Sequence, residues 1–192
     1  MARALLIVDI QNDFTEGGAL GVEGGGDVAR GVSAHLAARV ADYRAIVASR
    51  DWHEAEGDNG GHFAAGEPDF RTTWPVHCVQ GTPGAEYHPD LDLAAVTHHV
   101  RKGQGVPAYS LFEGTAEDGS SPGQLLRGLG VLEVDVVGIA TDHCVRATVM
   151  DAAELGFRVR VLTDLVAGVA PGTTDAALAE MAHAGAELVA SE

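Results

Sequence analysis

Only two cysteines occur in the 192 residues, Cys78 and Cys144. Two thiols do not make a disulfide framework, and they fit a reducing, cytoplasmic setting. Lysine is scarcer still: Lys102 stands alone against eleven arginines. Aromatic residues make up 5% of the chain. No stretch approaches the ~18 apolar residues that span a membrane. The apolar start is interrupted by Asp9, Asn12, Asp13 and Glu16, too early for a signal peptide, and reads as a first core strand. Positive charge is in deficit as well. A formal net charge of −16 argues against nucleic acid and acidic membranes as partners, since both need a basic face. The acidity is spread along the chain and reads as a solvated surface.

Hydrophobic residues reach 46%, enough for one domain over residues 1–192 with a sizeable core. The predicted elements alternate. Strands are expected at 3–9, 45–49, 96–102, 134–139, 157–162 and 187–190. Helices are expected at 27–43, 122–129, 144–155 and 173–184. Continuous apolar strands between helices predict an α/β fold, a mostly parallel sheet covered on both faces in three layers. Residues 51–94 and 103–121 are rich in glycine and read as long connections, which in a compact domain are usually functional.

Sites in such sheets lie at the carboxyl ends of the strands. Asp9 ends the first strand, Asp51 and His53 follow the second, Lys102 ends the third, and Cys144 follows the strand that stops at Ile139. Asp9, Lys102 and Cys144 make a nucleophilic set, with the carboxylate as proton acceptor and the lysine holding a thiolate. Asp13 competes with Asp9 for that role. A cysteine at a helix start can have its pKa lowered to roughly 3.5–7.5, so a resting thiolate is expected at Cys144. Asp51, His53, His62 and His77 offer three imidazoles and a carboxylate to a divalent metal, with zinc, iron and manganese all suited. Cys78, beside His77, is either a further ligand or a packing residue. Phe14, Trp74 and Tyr109 lie in the connections and could form a slot for a planar ring.

The segments Trp74-Pro75-Val76-His77-Cys78-Val79 and Gly138-Ile139-Ala140-Thr141-Asp142-His143-Cys144, taken together, resemble the nicotinamidase/pyrazinamidase family of isochorismatase-like cysteine hydrolases. The resemblance runs through nearly the whole chain. It implies a catalytic triad of Asp9, Lys102 and Cys144, and metal ligation by Asp51, His53, His62 and His77. It also implies a cis Ile139–Ala140 bond and an oxyanion hole from the backbone of Ala140 and Cys144. Phe14, Trp74, Tyr109 and Ile139 would bind the ring. The implied substrate is a small aromatic amide, nicotinamide or pyrazinamide, hydrolysed through a thioester in NAD salvage. The segment 54–61 departs from the family by its greater length, which bears on His62. Three rivals stay open: a sister amidase for another small amide, a hydrolase using metal-bound water, and a non-enzymatic metal or thiol module. Monomer and homo-oligomer remain equally open.

Overall fold

A computed structural model describes residues 2–191. Seven strands form one sheet: β1 (Ala2–Val8), β2 (Ala45–Asp51), β3 (His98–Lys102), β4 (Thr115–Ala116), β5 (Val131–Ile139), β6 (Arg158–Ala167) and β7 (Glu187–Val189). Their spatial order is β4-β3-β2-β1-β5-β6-β7. Every pairing is parallel except β3 with β4. Four α-helices accompany them: α1 (Gly25–Arg39), α2 (Pro122–Gly128), α3 (Arg146–Glu154) and α4 (Pro171–His183).

Side chains alternate across a strand, so β1 serves two cores. Ala4, Leu6 and Val8 face one apolar cluster with Leu126 of α2, Val149 of α3 and Met181 of α4. Leu5 and Ile7 face the other, with Val28, Val32 and Leu36 of α1. The result is the expected three-layer αβα architecture. Burial on both faces explains why the central strands read as unbroken apolar runs.

The elements differ from expectation mainly at their ends. The helix expected from Cys144 begins at Arg146, because residues Thr141–Val145 form a wider, π-helical turn. The strand expected over 157–162 continues to Ala167. β4 lies within a segment expected to be irregular. None of the described helices is long and apolar enough to cross a membrane.

The chain lays β1 to β4 outward on one side, then returns to put β5 against β1. This reversal opens a crevice at the carboxyl ends of the central strands, where α/β sheets bind ligands. Gly138 allows β5 to approach β1 there. Its φ is +122°, and a Cβ on it would stand 2.0 Å from the Val8 carbonyl oxygen.

Candidate active site and metal centre

Lys102 is fully buried at the end of β3, and its ammonium joins the expected residues. Nζ lies 2.9 Å from Asp9 Oδ2. It donates to Asp51 Oδ1 and stands 3.7 Å from Cys144 Sγ. The second oxygen of Asp9, Oδ1, accepts a hydrogen bond of 2.7 Å from the Ser49 hydroxyl. Asp13, the competitor of Asp9, is used elsewhere: its Oδ2 accepts from the Cys78 backbone N–H at 2.7 Å.

Four groups then compete over charge in a dry space. Burial works against ionised Lys102, but Asp51, Asp9 and Cys144 together hold its pKa well above the ordinary value. Burial would raise Asp51 too, yet Lys102 with His53 and His77 brings it well below the usual carboxylate range. Asp9 is raised by burial, against Lys102 and with help from Asp51. Cys144 is pushed well up by burial, with Lys102 opposing and Asp9 and Asp51 adding to the rise. The shift runs against the resting thiolate expected from a helix start. Desolvation and the two carboxylates favour the protonated sulfur, and the one ammonium opposes them.

His53, His62 and His77 form a second group. Their nitrogens lie within 4.8 Å of one another. His53 donates from Nδ1 to the Gly103 carbonyl at 2.8 Å, and His77 from Nδ1 to the Pro75 carbonyl at 2.7 Å. Their Nε2 atoms stand 3.7 Å and 3.8 Å from Asp51 Oδ2. His53 Nε2 and both nitrogens of His62 are buried without a protein partner. Burial and the two neighbouring imidazoles push the His62 pKa down to about 4, which keeps its lone pair available at neutral pH. Orphaned buried nitrogens, a carboxylate oxygen and carbonyl-oriented rings fit a divalent ion. Asp9, Asp51 and Cys144 also cluster within 4.8 Å, but the Lys102 ammonium already supplies the cation among them.

A cavity of about 400 Å³ opens onto both groups. Cys144, Ala140, Asp51, His62 and His77 form part of its wall, and Phe14, Trp74 and Tyr109 supply aromatic surface. Trp74 Nε1–H donates to the Tyr109 hydroxyl at 2.9 Å, fixing the two rings together. Ile139 is the exception among the expected ring-binding residues. It is completely buried in the core and its side chain does not line the cavity. The Ile139–Ala140 bond is cis. Cys78 packs in the core behind His77, with burial raising its thiol pKa.

Several contributors carried no sequence signal of their own. Gln11 is buried beneath Asp51, accepting from its N–H at 2.8 Å and donating to its carbonyl at 2.9 Å. Phe70 and Val169 line the cavity from two loops, and His143 from the π-helical turn. Asp142 accepts from the Val169 N–H at 3.0 Å and from the Thr173 hydroxyl, pinning the turn before Cys144 to the start of α4. Gln11 and Asp142 stand inside recognisable motifs, whereas Phe70 and Val169 needed the folded chain to be found.

A mostly parallel sheet with a thiol, a carboxylate and a buried ammonium at its switch point defines a cysteine-dependent hydrolase of α/β class. Comparison with known proteins narrows the class. The isochorismatase-domain family matches residues 3–192. The nicotinamidase/pyrazinamidase of Mycobacterium tuberculosis is 54% identical over 189 residues, covering 98% of this chain and 99% of that protein. The pyrazinamidase of Pyrococcus horikoshii, solved in complex with zinc, superposes with a TM-score of 0.83 at 39% identity, covering 99% of each chain. A protein from L. infantum, solved with nicotinate, gives 0.84 at 35% identity, covering 99% of this chain and 93% of that one. The chain belongs to the isochorismatase family, among its nicotinamidase and pyrazinamidase members.

Proposed function

We propose that this protein is a nicotinamidase, which hydrolyses nicotinamide, and pyrazinamide with it, to the carboxylic acid and ammonia. The observation that carries the reading is the contact of Lys102 with Asp9, Asp51 and Cys144, the last two of which line an aromatic cavity. The named activities of the relatives support the choice of substrate.

Asp9 is the general base. Its raised pKa gives it the basicity to take the proton from Cys144 as the sulfur attacks the carboxamide carbon. The ammonium of Lys102 stabilises the thiolate while it exists. The backbone N–H groups of Ala140 and Cys144 receive the oxyanion, and one such donor contributes about 10²–10³ in rate. Asp9 returns the proton to the departing ammonia. A water then attacks the thioester, giving its proton to Asp9, and the carboxylic acid leaves as the sulfur regains a proton. Asp51, His53, His62 and His77 would hold a divalent metal, zinc, iron or manganese, which when bound supplies a Lewis-acid contact for the ring nitrogen. Phe14, Trp74 and Tyr109 hold the ring between apolar surfaces.

A cytoplasmic role in NAD salvage belongs to the same reading, supported by two free thiols and by the substrate itself. Ammonia release from nicotinamide by the metal-replete protein tests the proposal. Release is expected from the wild type, and its absence would redirect attention to other small amides.

A further inference from the structure

Residues 54–61 separate His53 from His62 and include three glycines, Gly57, Gly60 and Gly61, all at positive φ. A segment this rich in glycine has much conformational freedom to lose. His62 nevertheless has to meet His53 and His77 within 4.8 Å. The three rings are not held alike. His53 and His77 are each oriented by a carbonyl, but neither nitrogen of His62 has a protein partner. The placement of His62 therefore depends on the loop that delivers it.

Asn59 is the one buried residue of that loop, 3% exposed, with φ at +48°. Its Oδ1 accepts from the Glu54 N–H at 2.8 Å and from the Gly105 N–H at 3.1 Å. Its Nδ2 donates to the Glu54 carbonyl at 3.1 Å. The Asn59 carbonyl receives the His62 N–H at 3.4 Å, and the neighbouring Asp58 carbonyl receives the Phe63 N–H at 2.9 Å. Gly105 belongs to the same short loop as Gly103, whose carbonyl orients His53. Gly60 packs on that loop so closely that a Cβ would lie 3.1 Å from the Gly105 carbonyl oxygen. One amide thus closes the loop on itself and ties it to the support of another histidine.

We infer that Asn59 is a positioning residue for the metal centre, fixing His62 relative to His53 through the joined loops. This rests on the reading of Asp51 and the three histidines as metal ligands. Loss of a supporting hydrogen bond around a metal ligand typically costs about 10–100-fold in affinity.

The test measures zinc binding to chelator-stripped protein by competition with a chromophoric chelator. Asn59→Gly keeps the left-handed backbone and removes all three side-chain bonds. It is expected to weaken zinc about 10–100-fold and to alter the visible spectrum of bound cobalt(II), neither of which a purely structural contribution would move in the folded fraction. Asn59→Asp replaces the donated bond by repulsion between a carboxylate oxygen and the Glu54 carbonyl, so it too should weaken zinc, and it guards against a glycine variant that does not fold. Wild-type zinc affinity in whichever of these variants folds would overturn the inference. His62→Ala is the control. If it binds zinc as wild type does, the ligand assignment fails and takes the inference with it. A strong loss there beside unaffected Asn59 variants rejects Asn59 alone.

Discussion

The sulfur of Cys144 shares its space with one ammonium and two carboxylates, and burial favours its protonated form. Three consequences follow for single side chains. Cys144→Ala should abolish ammonia release while leaving zinc binding near the wild-type level, read by the same chelator competition; residual turnover would end the covalent mechanism. Ser49→Ala removes a buried hydrogen bond to the Asp9 carboxylate. Such bonds to charged groups contribute about 1.5–3 kcal/mol, so kcat should fall by about tenfold or more with KM little changed. Ser49→Thr, which retains the hydroxyl, should restore most of the rate. For His62 the sign of the linkage is set by its depressed pKa. The unfolded chain takes up this proton near pH 6.5 and the folded protein only near pH 4. The stability of metal-free protein should therefore be fully present above about pH 6.5 and fall progressively down to about pH 4. Thermal unfolding across that window, with His62→Ala beside wild type, shows whether this residue contributes: the slope should be shallower in the variant.

Secondary elements bring these groups together because the sheet reverses at β1. Gly138 is the residue that lets β5 lie against β1 at the carboxyl end, where a Cβ would collide with the Val8 backbone. Gly138→Ala should destabilise the protein by about 3 kcal/mol, the upper range for overpacking, and lower the melting temperature together with activity. A normal melting temperature would mean that the strands can part without consequence. Much of this arrangement was legible beforehand. Asp9, Asp51 and Lys102 stand where apolar runs stop, and a parallel sheet puts such ends on one edge. The state of Cys144 was not legible, since helix position is visible in sequence whereas burial and two acidic neighbours are not. Ile139 was expected at the ring from the family resemblance, but its side chain turns into the core. The long extension of β6 and the role of Asn59 both depend on tertiary hydrogen bonds without local periodicity.

For the molecule as a whole, charge is the dominant feature outside the cavity. A formal charge of −16 on 192 residues opposes compaction by self-repulsion. Salt shortens the reach of that repulsion to roughly 10 Å at 0.1 M. The melting temperature should consequently rise when sodium chloride is increased from about 10 to about 150 mM, the interval over which screening changes most. A flat or falling response would show that the exposed pairs, such as Arg30 with Asp27 and Asp90, matter more than the net excess.

Asp51 turns one oxygen to Lys102 and the other to His53 and His77. A lineage could discard the three imidazoles and still require an acid here as counter-ion to the lysine. Replacing Asp51 first would cost more: Lys102 would keep only Asp9 as counter-ion, and His53 and His77 would lose the carboxylate they face.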